Sequence, residues 1–434
     1  MALAGTCALV IVACGSTSST TGDENRQFAN EASTRTPDTE LTVTPTTVLD
    51  VDATPEIRTP SPGASPETLL HARGAPDTLY IEIDGHLVSV TSHGGKAVAL
   101  PIELPAELRL IDSDASPAGD RVAVLLEDAH GAASLGFFGQ DGALQAGPFD
   151  VLREDAATPV TDAPKPGQYF VDWSPQGLDV LVSDGAALEA VRDSGAVERV
   201  ALDGFDGVLV AAERSPQGSR IALQFQAEDG GQRVYVRDVT TGKTRDLRPL
   251  SVSAGEGLDH LQWLPNGSGL IYVHGSLDRG VLMHGQVWVY RLGQERADPV
   301  ATAGQGGPAA TITDVVVSPD GRSVAYVISL LDGTKWSFHS MWVRSLDGNL
   351  IYRVPVVPRG VVGYVQWVSG GLSWEQRRES SAPGQLLVIG ANGLPNVVLD
   401  MARSPFAATP EASPEASPVG TPQATPIASP VATP

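Results

Sequence analysis

Apolar and polar positions alternate through the middle of this chain in short runs, and one recurring turn punctuates them. The pattern is clearest in residues 315–354. Val315–Val317 lead into Ser318-Pro319-Asp320-Gly321, and Ser323–Ile328 follow. Met341–Arg344 and Leu350–Val354 then flank Asp347-Gly348. Pro presets φ at the second turn position and Gly accepts φ > 0, so Ser-Pro-Asp-Gly between apolar runs predicts a turn. Asp-Gly between two strands favours a tight hairpin. The stretch therefore predicts four short strands.

The turn returns as Ser116-Pro117-Ala118-Gly119, Ser174-Pro175-Gln176-Gly177, Ser215-Pro216-Gln217-Gly218 and Leu264-Pro265-Asn266-Gly267, with a decayed copy at Val368-Ser369-Gly370-Gly371. Successive copies lie 41 to 58 residues apart, the range of propeller blades. A short apolar stretch precedes each, as in Tyr169–Trp173, and a period-two strand follows, as in Arg220–Phe225. Outer hairpin turns number seven: Gly94-Gly95, Asp141-Gly142, Ser194-Gly195, Thr241-Gly242, Gly293-Gln294, Asp347-Gly348 and Asn392-Gly393. Seven against six leaves the first blade, Thr78–Leu100, without an obvious inner strand; Leu69–Arg73 or the segment after Val397 could supply it. The expected fold is all-β: a propeller of four-stranded antiparallel blades, seven in number, with six as the alternative. Closing such a ring removes exposed sheet edges.

The ends read differently. Met1–Ala13 is an apolar run too short to span a bilayer and right for a signal segment. Its end, Val10-Ile11-Val12-Ala13-Cys14 before Gly15-Ser16, resembles a bacterial lipobox, which implies lipid attachment at Cys14; no Lys or Arg precedes that cysteine. Residues 15–68 are rich in Ser, Thr and Pro and nearly lack aromatic side chains, so they predict a disordered tether. From Thr409 each Pro follows Ser or Thr with a period of four, a polyproline-like tail. The expected organisation is thus a lipoprotein signal over 1–14, a tether over 15–68, a propeller over 69–400 and a tail over 401–434. The expected address is a bacterial membrane, lipid-anchored, facing the extracytoplasmic side.

Charge narrows the partners. Lys and Arg number 29 against 51 Asp and Glu, a formal net charge of −22. Such a field repels nucleic acid and anionic lipid. Cys7 and Cys14 are the only cysteines, so the body of the chain can hold no disulfide or thiolate metal site.

The repeats resemble the TolB-type, WD-repeat-like family, in which an apolar inner strand runs into W-S-P-D-G. The counterparts are Trp173-Ser174-Pro175-Gln176-Gly177, Ser323–Val327, Gln286–Tyr290 and Ser340–Val343. The resemblance covers most of residues 105–400. It implies the fold and leaves activity open, because such propellers serve as partner platforms, as domains of peptidases and as enzyme scaffolds.

Candidate chemistry is sparse. G-x-S-x-G, H-E-x-x-H, Walker and EF-hand patterns are missing from the sequence, and no cofactor or metal is expected. With the tail ending the chain, the peptidase version is not expected either. Asp112 and Asp114, or Asp203 and Asp206, read as solvated turn acids with a lesser chance of holding Ca²⁺. Trp173, Trp263 and Trp367 share one place in their repeats and read as blade packing. Loops between second and third strands open on one rim: Glu127–Gly131, Ala227–Gly231, His274–Gly285, Leu330–His339 and Glu375–Gly384. Binding concentrates on loops carried by a rigid scaffold, and exposed aromatics beside mixed charge suit an interface. The candidate ligand-binding residues are accordingly Lys335, Trp336, Phe338 and His339, with Asp278 and Arg279. The expected role is a monomeric, non-catalytic platform for a protein or glycan of the cell envelope. The alternative is a propeller enzyme, a polysaccharide lyase or quinone-type dehydrogenase, with its site at the channel mouth.

Overall fold

The computed structural model describes residues 69–70, 74–83, 86–93, 96–105, 107–152, 169–278, 280–303, 310–332, 335–347, 350–356, 360–377, 384–390 and 392–400. The expected signal segment, Cys14, the tether up to residue 68 and the tail lie outside the described residues.

Blade 1 has three strands among the described residues, β1 (Thr78–Ile83), β2 (His86–His93) and β3 (Lys96–Pro101). Blade 2 holds β4 (Arg109–Ala115), β5 (Arg121–Glu127), β6 (Ala133–Gly139) and β7 (Leu144–Asp150). Blade 3 holds β8 (Phe170–Trp173), β9 (Val180–Ser183), β10 (Leu188–Val191) and β11 (Val197–Arg199). Blade 4 holds β12 (Val208–Arg214), β13 (Arg220–Gln226), β14 (Gln232–Asp238) and β15 (Thr244–Asp246). Blade 5 holds β16 (Glu256–Trp263), β17 (Gly269–Asp278), β18 (Val281–Arg291) and β19 (Asp298–Thr302). Blade 6 holds β20 (Ala310–Val317), β21 (Ser323–Asp332), β22 (Lys335–Ser345) and β23 (Ile351–Val354). Blade 7 holds β24 (Val361–Val368), β25 (Gly371–Arg377), β26 (Gln385–Ile389) and β27 (Pro395–Asp400). Strands pair antiparallel in chain order within each blade. The fold is a seven-bladed β-propeller.

The recurring turn forms as its residues dictate. The glycine N–H donates to the carbonyl of the first turn residue at 2.7–2.8 Å in Ser116–Gly119, Ser174–Gly177, Ser215–Gly218, Leu264–Gly267 and Ser318–Gly321. Each of these glycines sits at φ between 67° and 71°, a conformation that costs other residues strain. The turn serine closes the loop by accepting from the strand that follows, Arg121 N–H at 3.1 Å and Ser323 N–H at 2.9 Å.

Seven hydrophobic clusters fill the seven junctions between successive blades. One joins blade 7 to blade 1 through Val368, Leu386, Leu79 and Ile81. Seven blades therefore stand, and six does not. Trp173, Trp263 and Trp367 are buried between blades as expected, Trp173 meeting Phe137 edge-on at 5.4 Å.

Four segments differ from expectation. Leu69 and Leu70 are helical and packed in the cluster of blades 6 and 7, so they do not form the inner strand of blade 1. The segment after Val397 belongs to β27, the outer strand of blade 7. His274–Gly285 and Leu330–His339 are not loops: β17 and β18 pair out to Asp278 and Val281, and β21 and β22 out to Asp332 and Lys335. Bulges absorb the glycine and polar positions, and the ladder continues past the expected loop starts.

Candidate functional site

Inner strands β4, β8, β12, β16, β20 and β24 carry polar side chains where a blade core would be apolar. Asp114, Asp172, Glu213, Gln262 and Gln366 each stand two residues before a recurring turn, and Asp112 and Asp314 stand four before. All but Gln366, whose Nε2 is buried without a partner, tie their blade to the next. Trp173 N–H donates to Asp114 Oδ2 at 2.6 Å and Val171 N–H to Asp112 Oδ2 at 2.9 Å. Arg214 N–H donates to Asp172, and Trp263 N–H donates to Glu213 Oε2 at 2.6 Å. Gln262 Nε2 donates to Val315 O at 2.9 Å, and Val365 N–H to Asp314 Oδ2 at 3.3 Å. Inner strands of different blades share no ladder, so these side chains satisfy backbone groups that would otherwise be buried unpaired.

Taking these carboxyls out of water makes their charged forms costly. Burial pushes Asp112 up to about 7 and Glu213 up to about 8. Asp114 and Asp172 are pushed well above the usual carboxylate range, first by burial and then by a neighbouring acid, Asp172 beside Asp114 and Glu213 beside Asp172. Burial also raises Asp314, while the nearby His260 pulls it back down. Asp114 Oδ1, Asp172 Oδ2 and Asp314 Oδ1 are buried without a hydrogen-bond partner. Asp112 and Asp114 are thus inner-strand stitches and not solvated turn acids, whereas Asp203 and Asp206 are exposed in a turn. Among the described residues, no three His, Cys, Asp or Glu side chains are grouped to hold a metal ion.

Five inner strands carry a bulge at the same level, at Leu110/Asp112, Leu209/Ala211, Asp259/Gln262, Ile312/Asp314 and Gly363/Gln366. In blades 5 and 7 the bulge puts His260 at φ 52° and Tyr364 at φ 50°. Non-glycine residues reach that region only when their surroundings force it, and such positions gather at functional sites. The Tyr364 hydroxyl is pushed up to about 12, by burial and then by Glu82 and Glu375.

The opposite feature is a raised edge. The β17–β18 and β21–β22 hairpins run to 10 and 11 residues a strand, against 7 in β5, β6, β13 and β14. They belong to adjacent blades, and each leans on the next blade. Gly285 N–H donates to Thr311 Oγ1 at 3.1 Å, and Phe338 N–H donates to Gly360 O at 2.8 Å. Asp278 and His284 are exposed there and His339 is half-buried. Lys335 and Trp336 pair with Asp332 and Leu331 through the backbone, but the placement of their side chains is outside the described residues, as is Arg279. Phe338 is 7% exposed and packs with Leu69, Leu70 and Trp367. It is a core residue and no longer a candidate for the binding surface, because the bulge between Ile328 and Ser329 turns it inward.

The sequence reading named Asp112 and Asp114 in another role and missed Asp172, Glu213 and Asp314, although a signal was present: an acid two residues before Ser-Pro in three consecutive repeats, at Asp114, Asp172 and Glu213.

No family model matches the chain, and no curated protein matches it. Solved structures do. An oligogalacturonate lyase in complex with manganese matches with a TM-score of 0.51 at 12% identity, over 75% of this chain and 86% of that one. A prolyl endopeptidase matches at 0.50 and 11% identity, over 75% of this chain and 50% of that one. TolB from Acinetobacter baumannii matches at 0.42 and 15% identity, over 73% of this chain and 76% of that one. TolB proteins are thus among the structural neighbours. Likeness at these identities establishes the propeller and nothing finer.

Proposed function

We propose that this chain is an extracytoplasmic lipoprotein, held at the membrane through Cys14, whose propeller binds a protein or glycan of the cell envelope with the edge raised by blades 5 and 6. The supporting observation is that edge: two adjacent hairpins extended beyond those of blades 2 and 4, on a ring whose junctions are all packed. A rigid ring presenting an asymmetric protrusion loses little entropy on docking. Residues 1–14 act as the signal, 15–68 as the spacer and 401–434 as a solvated tail. The exposed candidates are Asp278 and His284, and the proposal keeps Lys335, Trp336, Arg279 and His339 as further candidates. Trp336→Ala in the full chain is expected to weaken capture of the envelope ligand about thirtyfold with the melting temperature unchanged. Undiminished capture removes Trp336 from the site.

A second reading, a propeller enzyme working at the channel, draws support from the left-handed His260 and Tyr364 beside Asp314 and its unpartnered oxygen. Incubation with oligogalacturonate, followed by ultraviolet absorbance of an unsaturated product, tests a lyase directly. Product formation that His260→Ala abolishes would favour this reading over the platform.

A further inference from the structure

Among the described residues blade 1 is one strand short, and β1 has the place of a second strand. Ala75-Pro76-Asp77 precedes it where the other blades have their recurring turn. Gly119 of the blade 2 turn lies against Pro76, a Cβ there meeting Pro76 Cβ at 2.6 Å. Gly177 lies against Pro117, and Gly321 against Pro265, in the same relation. Ser369, in the turn of blade 7, donates its N–H to Pro76 O at 3.0 Å. Pro76 is therefore the turn proline of blade 1, and the empty position is the inner one.

Among the described residues β1 pairs with β2 alone. Yet Thr78, Leu79, Tyr80 and Ile81 are all buried. A buried strand edge facing the ring centre holds backbone donors and acceptors that need partners. Leu69 and Leu70 cannot serve, since they pack between blades 6 and 7.

The missing sequence lies farther back. Residues 48–55 read Val-Leu-Asp-Val-Asp-Ala-Thr-Pro, and residues 110–117, which form the inner strand and turn of blade 2, read Leu-Ile-Asp-Ser-Asp-Ala-Ser-Pro. Both Asp positions, the Ala and the Pro are identical, three of the other four are conservative exchanges, and Val51 stands where blade 2 has Ser113. We infer that Val48–Ala53 is the inner strand of blade 1, laid antiparallel on the free edge of β1. Asp50 and Asp52 then face β4 as Asp112 and Asp114 face β8. Residues 54–74 become an insertion in the first inner turn, leaving from the face to which Pro76 returns. The membrane spacer shortens to residues 15–47.

Amide hydrogen exchange on the full-length chain tests this without any variant. Backbone amides of residues 48–53 should exchange at least about a hundredfold more slowly than those of 40–46 and 56–66, together with the amides of β1. Exchange of 48–53 at the rate of its flanks overturns the inference, as does protection of residues 71–73 in its stead. Protection of β1 that rises with protein concentration would assign the slot to a second copy and overturn it too. Val51→Pro with Asp52→Pro removes ladder donors on both sides of the strand. It should release protection in both segments and lower the melting temperature, while Val43→Pro changes neither. A doubly substituted chain that still protects β1 likewise contradicts the pairing.

Discussion

Glu213 offers the sharpest test of how the ring is closed. Its Oε2 accepts from Trp263 N–H at 2.6 Å, its backbone carbonyl accepts from Trp263 Nε1 at 2.9 Å, and burial raises the carboxyl from 4.5 to about 8. Below pH 4.5 the folded and unfolded chains both hold the proton, and the stabilisation from the protonated form is fully present. As pH rises toward 8 the unfolded chain ionises first, so stability is lost. At about 1.4 kcal/mol per pH unit, the loss between pH 5 and 8 reaches about 4 kcal/mol. Glu213→Gln keeps an oxygen for the Trp263 N–H and cannot ionise. Urea unfolding at pH 5, 6, 7 and 8 should show the variant gaining on the parent protein steadily as pH rises. Parallel stability curves, or a parent that gains on the variant, would refute the reasoning.

Other outcomes follow from single residues. Phe338→Ala empties a packed site between blades 6 and 7 and should cost about 3–5 kcal/mol by chemical denaturation; an unchanged melting temperature would place the ring at the surface. Gly119→Ala puts a Cβ at φ 68° and 2.6 Å from Pro76 Cβ, so a loss of about 1–3 kcal/mol is expected in the same assay. Cys14→Ala in a bacterial host should move the protein from the membrane fraction to the medium, because stable anchoring takes two acyl chains; retention on the membrane would end the lipoprotein reading.

The blades were legible because their information is local. Ser318-Pro319-Asp320-Gly321 specifies its own turn, and the alternation after it specifies which face is buried. The hairpins of blades 5 and 6 were misjudged for a related reason: Gly275 and His284–Gly285 look like loop residues, yet a bulge absorbs them and pairing resumes to Asp278. Phe338 shows the limit more plainly, since only the register of β21 against β22 decides whether it faces the core. The inner-strand acids depend on contacts 50 to 59 residues apart, as between Glu213 and Trp263 or Asp114 and Trp173. An acid before a turn reads as solvated until the neighbouring blade is in place.

The central claim is that ligand meets the edge raised by blades 5 and 6. The direct measurement is quantitative capture from cell-envelope extract by the immobilised full chain, separated into protein and glycan fractions. Asp278→Lys combined with His284→Ala alters that edge, whereas Leu394→Lys alters an exposed outer turn on the opposite face. The account predicts a loss of about tenfold or more for the edge variant and none for the other, with both melting temperatures at the parent value. Equal capture by the edge variant and the parent protein would contradict it.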